Sequence, residues 1–153
     1  MNNIYKYKYL KYKTKYQNLT NQDGGYHDLQ NVDFDTVVRN IAEPWFSYII
    51  SREKTIFCTL YTTDIAFLKP NSYIKFVNEQ NISKREVKVK VTSAAKYNSF
   101  REMLENENMD YVLPHVNTIT ECVNIYRQHY SEEDEKKFGV IALRFTKDLD
   151  NKY

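Results

Sequence analysis

Between Glu86 and Ser93 the chain alternates strictly, with Val87, Val89 and Val91 on one side and Lys88, Lys90 and Thr92 on the other. A period of two built on β-branched residues is a strand with one buried face and one polar, basic face. Such a strand needs partners, and the flanking sequence offers them. Lys54 to Tyr61 is β-rich through Thr55, Ile56, Phe57, Thr59 and Tyr61. Leu68-Lys69-Pro70-Asn71-Ser72 reads as a turn, Tyr73 to Asn78 alternates after it, and Val140 to Phe145 reads as a last strand. Helix signals lie between. Asp35 is positioned to cap a helix carrying Val38, Ile41, Trp45, Ile49 and Ile50, broken at Pro44 with a second short helix from there to about Arg52. Ser99 with Glu102 forms a capping box before Phe100, Met103 and Leu104. Pro114 is a stop, and Thr118 with Glu121 opens a helix through Val123, Tyr126 and Tyr130. Ser131-Glu132-Glu133-Asp134 starts another, and the residues from Lys147 on read as a frayed tail. Strands and helices mix without a βαβ rhythm, so the expectation is α+β with a small, largely antiparallel sheet or barrel.

The net charge of +2 conceals an uneven distribution. Residues 1–22 hold five Lys (6, 8, 11, 13 and 15) and no acid, leaving 17 basic and 20 acidic residues in the rest. The switch falls at Asp23-Gly24-Gly25, which predicts an appendage at 1–25 and a folded domain over 35–147. Tyr5, Tyr9, Tyr12, Tyr16 and Leu19 share one face at helical period, so the appendage reads as a helix or tail that docks to become stable. No apolar run of ~18 residues and no leader-like apolar stretch is present, so the expectation is an intracellular protein that neither spans a membrane nor is secreted. The sequons at Asn18 and Asn81 are then expected to be inert.

Motifs of catalysis are missing: there is no P-loop, GxGxxG, HExxH, CxxC or GxSxG. His27, His115 and His129 are widely spaced and read as surface residues, Cys58 and Cys122 as small core residues, and no metal or cofactor is implied. Three stretches stand out. Lys54, after a helix and before a strand, is placed to reach a phosphate or base from an exposed rim. Lys96-Tyr97-Asn98-Ser99-Phe100-Arg101 runs from a strand end into a capped helix whose amides favour an anion. Lys84, Arg85, Lys88 and Lys90, with Tyr73 and Lys75, form a basic face suited to a nucleic-acid backbone.

Several segments, in order, resemble the ASCH domain: Glu43-Pro44-Trp45-Phe46-Ser47-Tyr48-Ile49, Lys54-Thr55, Leu68 to Ile74, Val89 to Thr92, Tyr97 to Leu104, Val112-Leu113-Pro114, Tyr126, Tyr130 to Lys137 and Gly139 to Phe145. The resemblance implies a PUA-like fold, a small curved β-barrel with flanking helices around a cleft, that binds RNA or a nucleotide. With the three stretches above, the candidate ligand contacts are Lys54, Thr55, Thr59, Lys88, Lys90, Tyr97, Asn98, Ser99 and Arg101. The resemblance also implies one enzymatic alternative, hydrolysis of N4-acetylcytidine as in a small bacterial ASCH amidohydrolase, with Lys54 and Glu107 as the catalytic pair. ASCH domains commonly read Lys-Thr-x-Glu-x-Arg after a glycine; here Phe57 and Thr59 replace the acid and the Arg, and Ser51 or Arg52 stands in the glycine region. The expectation is therefore a non-catalytic module for RNA or a modified nucleotide. A protein-interaction adaptor acting through the N-terminal Tyr/Lys segment is the other alternative. That segment resembles the openings of many proteins of giant amoeba-infecting DNA viruses, which implies residence in a host cytoplasm.

Overall fold

The structure, a computed structural model, describes residues 36–79 and 84–148. The segment 1–25 and its helical reading, Asp35, both sequons and His27 lie outside the described residues. In chain order the elements are β1 (Thr36–Asn40), α1 (Trp45–Ile50), β2 (Ile56–Leu60), β3 (Tyr73–Asn78), β4 (Arg85–Tyr97), α2 (Phe100–Asn106), α3 (Met109–Val112), α4 (Ile119–Arg127), α5 (Glu132–Phe138) and β5 (Val140–Lys147). The strands form one curled sheet, a half-barrel, in the order β1-β3-β4-β5-β2. Only β1 with β3 is parallel; the other three pairings are antiparallel. The α+β, curved-barrel expectation holds.

The valine alternation sits in the middle of this sheet. β4 is 13 residues long, pairs with β3 through its first half and β5 through its second, and shifts register between Val91 and Ser93. A bulge there bends the strand and raises its twist, which lets one strand serve both walls of the curl. Val87, Val89 and Val91 bury against Ile74, Phe76, Leu143 and Phe145 in the inner core. A second core fills the outer side of β2 and β5, where Ile56, Cys58, Leu60, Val140 and Ala142 meet Phe100, Met103, Leu104, Val112, Cys122 and Tyr126. β5 thus buries both faces, whereas β4 keeps its polar face.

Two element expectations are corrected. The stretch after Asp35 is a strand rather than a helix. Val37 is buried while Val38 is 56% exposed, a period of two that the wider spacing of Val38, Ile41 and Trp45 concealed. The chain also remains in β5 through Lys147, which pairs with Val89, instead of fraying there. The caps are largely as read. Thr118 and Glu121 make both halves of a capping box, and the Ser131 hydroxyl accepts from the Asp134 amide. At α2 the Ser99 hydroxyl accepts from the Glu102 amide, but the Glu102 carboxylate reaches the Asn98 amide, one residue earlier than a full box.

Candidate functional site

β1 and β2 are the two edges of the sheet. Where the half-barrel stays open, a cleft of about 390 Å³ is lined from both sides, by Asn40 at the end of β1 with Ile41 and Ala42 after it, and by Phe57 and Cys58 of β2. Trp45 of α1, Leu113, and Tyr126, His129 and Tyr130 at the end of α4 complete its walls, and Lys54 stands among them. The aromatic walls are anchored from behind. Phe100 stacks on Tyr126 with ring centroids 4.3 Å apart and on Tyr130 at 5.4 Å, and the Tyr130 hydroxyl lies 3.0 Å from the Thr59 hydroxyl. Trp45 packs against Tyr48, which meets His115.

Lys54 is not the exposed rim residue that its sequence neighbours suggest; only 3% of it reaches solvent. The turn before it is tightly tied. Arg52 takes a left-handed φ of 68°, Glu53 accepts from Ser51 at 2.7 Å and meets His115 Nε2 at 2.6 Å, and the Lys54 amide donates to the Tyr48 carbonyl. These bonds hold the Glu53 carboxyl below the usual carboxylate range, the Ser51 hydrogen bond foremost. The Lys54 side chain turns inward and donates to the carbonyls of Ile56, at 2.8 Å, and Val112. Burial drives its pKa down from 10.5 to about 8. An ammonium has three N–H donors, so one remains beyond these two carbonyls. The same burial pushes the Cys58 thiol up to about 12, against the opposing pull of the Lys54 cation. Both cysteines are free and buried, in keeping with a core role.

The backbone of β2 adds a second polar feature. Phe145 N–H donates to Thr55 O and Tyr61 N–H to Gly139 O, which fixes the β5-facing peptide groups at Thr55, Phe57, Thr59 and Tyr61. In an antiparallel ladder the intervening residues turn their N–H and C=O to the free edge. Of these, the Ile56 carbonyl is taken by Lys54 and the Leu60 carbonyl by Thr62 N–H. Cys58, which lines the cleft, presents its N–H and C=O on that edge as an adjacent donor and acceptor.

The residues singled out in the sequence fall at four places. Lys54 lines the cleft and Thr59 supports it through Tyr130, while Thr55 acts through its backbone, bonded to Tyr111 and Phe145. Lys88 and Lys90 lie on the polar face of β4, across from Lys75 and Tyr73; Lys88 Nζ sits 4.3 Å from the Tyr73 ring centre, and Lys75 pairs with Glu86 at 3.7 Å. Tyr97 and Asn98 border a separate pocket with Lys96. Ser99 and the exposed Arg101 belong to the start of α2. The anion expected at that helix start is already supplied by the protein, since Glu102 takes the Asn98 amide at 2.6 Å and the buried Glu135 takes the Phe100 amide at 3.1 Å. Glu107 is buried, but its bonds go to the Tyr97 hydroxyl at 2.7 Å and to Arg144 at 2.6 and 3.0 Å, not to Lys54. Both charges act on the Cys58 thiol, in opposite directions and less than its burial does.

Reading the sequence residue by residue missed the walls, Trp45, Tyr126, His129 and Tyr130. Tyr126 and Tyr130 fall on one face of the helix expected from Thr118 onward, a face that looks the same whether it meets a core or a cleft. No helix among the described residues is long and apolar enough to cross a membrane.

No family model and no curated protein matches the chain. Solved structures do, two of them archaeal proteins. The crystal structure of hypothetical protein PH0355 superposes with a TM-score of 0.64 at 35% identity, covering 74% of this chain and 99% of its own. The solution NMR structure of protein PF0455 from Pyrococcus furiosus gives a TM-score of 0.58 at 35% identity, covering 76% of this chain and 99% of its own. At that identity over nearly the whole of both archaeal proteins, the chain belongs to their family, α+β domains built on a curved half-barrel sheet.

Proposed function

We propose that this protein is a binding module for single-stranded RNA or a modified nucleotide, with a nucleobase seated in the cleft between the two sheet edges. The observation that carries this reading is the composition of the cleft. Aromatic side chains form its walls, and a buried ammonium and the Cys58 peptide group supply donors and an acceptor. Bases bind such surfaces by stacking, with polar edges satisfied by fixed donors and acceptors. An ASCH-type, PUA-like affiliation agrees with the half-barrel and supports the same reading. The basic face of Lys75, Lys88 and Lys90 and the five N-terminal Lys add non-specific attraction for phosphates. The test is equilibrium binding of a labelled ten-nucleotide RNA at low salt. Trp45→Ala is expected to weaken it by about 1–3 kcal/mol, the usual contribution of one stacked base. An unchanged affinity would remove the base from the cleft.

One observation favours a second reading, amidohydrolysis of an N4-acylated cytidine. With its pKa near 8, Lys54 has an appreciable neutral fraction at pH 7, on the order of 10%, far above that of an ordinary lysine. Incubation with N4-acetylcytidine decides it: this reading expects cytidine from the wild type and none from Lys54→Met, and equal traces from both would reject it.

A further inference from the structure

A second concavity, of about 500 Å³, lies at the junction of α5, β5 and the end of β4. Tyr61, Lys96, Tyr97, Asn98, Lys136, Lys137 and Gly139 line it, and among the described residues no acidic one does. We propose that this pocket is a phosphate subsite, which holds the backbone of the same RNA strand whose base enters the cleft. The inference rests on the nucleic-acid reading of the cleft and extends it to residues that reading does not use.

Three lysines border this pocket. Lys136 and Lys137 stand in the last turn of α5, and Lys96 reaches in from β4. Among the described residues none of the three forms an ion pair. Lys96 Nζ lies 3.9 Å from the Tyr61 ring centre and Lys137 Nζ 5.0 Å from that of Phe138, contacts that place a cation without neutralising it. Like charges held together repel, and the arrangement is relieved when an anion sits between them. The floor is rigid. Gly139 has φ 72° and ψ −172°, its N–H bonds Glu135 O at 2.8 Å, and its carbonyl accepts from Tyr61 N–H at 2.9 Å. A Cβ at Gly139 would meet the Tyr97 carbonyl oxygen at 3.0 Å. This close approach brings the end of α5, with its two lysines, against β4.

The pocket and the cleft are joined along β2. Phe57, Thr59 and Tyr61 share one face at period two: Phe57 lines the cleft, Thr59 bonds the cleft residue Tyr130, and Tyr61 lines the pocket. Four residues of strand span ~13 Å. A ten-nucleotide strand, at roughly the ~3.4 Å per nucleotide of a stacked nucleic-acid strand, covers that distance with length to spare. The continuity with an aromatic cleft favours a nucleic acid over an acidic peptide.

The experiment uses the full chain and the variant Lys96→Gln/Lys136→Gln/Lys137→Gln, whose three side chains are exposed and whose fold is checked by its unchanged melting temperature. Inorganic pyrophosphate is expected to shift the amide resonances of Lys96, Asn98 and Gly139 in the wild type and not in the variant. The log–log salt slope for the ten-nucleotide RNA is expected to be shallower in the variant by about 2, from three contacts at ~0.7 each. Pyrophosphate that leaves these amides unmoved overturns the subsite, as does a variant that keeps the wild-type slope. A glutamate decamer that shifts them at the same concentration as the RNA overturns the nucleic-acid assignment. If the wild type binds no RNA at low salt while pyrophosphate still moves these amides, the cleft reading fails and the phosphate subsite stands.

Discussion

Lys54 is the residue at which chemistry and folding meet. Lys54-Thr55 singled it out in the sequence, and it lines the cleft, but its burial was not legible. The residues before it, Ser51, Arg52 and Glu53, are exposed, and nothing local shows that the side chain turns back under β2 to cap an edge carbonyl. The left-handed Arg52 makes that turn. Burial has a consequence for pH. Between about pH 8 and 10.5 the unfolded chain holds a proton on Lys54 that the folded chain has released, so stability rises with pH across that window. Below pH 8 both states hold the proton and that gain is absent. The thiols act in the opposite sense. Cys58 is pushed to about 12 and Cys122 to about 11 from 9.0, so above pH 9 the unfolded chain ionises first and stability falls. Urea denaturation is therefore expected to show the wild type gaining about 1 kcal/mol relative to Lys54→Met from pH 7.5 to 9, because the thiols' opposing loss is common to both proteins. That difference holds whatever the variant's absolute stability; a parallel pH dependence in the two proteins would mean that Lys54 is not buried as described.

Elements were more legible than residues. β4, the capped helices α2, α4 and α5, and the strands β2, β3 and β5 all stand close to where pattern and caps put them, because in each the local signal and the tertiary demand agree. β1 was not legible. It is five residues long, has one buried residue, and is stabilised by pairing with β3 rather than by its own pattern. α3 has four residues and carries no periodic signal at all. The turn from α5 to β5 is the sharpest demand on sequence. Gly139 occupies a φ, ψ region essentially closed to other residues, and a Cβ there would press on the Tyr97 carbonyl. Gly139→Ala is expected to cost about 1–3 kcal/mol in chemical denaturation. A loss below the error of that measurement would show that the turn relaxes without strain.

At the scale of the molecule, the half-barrel explains why the site residues named from sequence scatter. A curled sheet offers an open seam, an outer polar face and a helix-covered back, and the Lys-Thr, Lys-x-Lys and Tyr-Asn-Ser stretches each face a different one of these. Sequence spacing cannot tell such faces apart, because the faces are defined by how the sheet closes. The charge separates in the same way. The 131 residues after position 22 are net acidic, so attraction for a polyanion must come from the N-terminal lysines and from local clusters on the domain. The central claim is that a base occupies the seam between β1 and β2. Trp45 is the only tryptophan in the chain and lines that seam, so its emission reports on the cleft directly. Titration of the full chain with a ten-nucleotide single-stranded RNA at low salt is expected to quench Trp45 emission saturably, with the same midpoint as binding measured on the labelled strand. RNA that binds while the Trp45 emission stays constant would contradict the account and place the nucleic acid elsewhere on the surface.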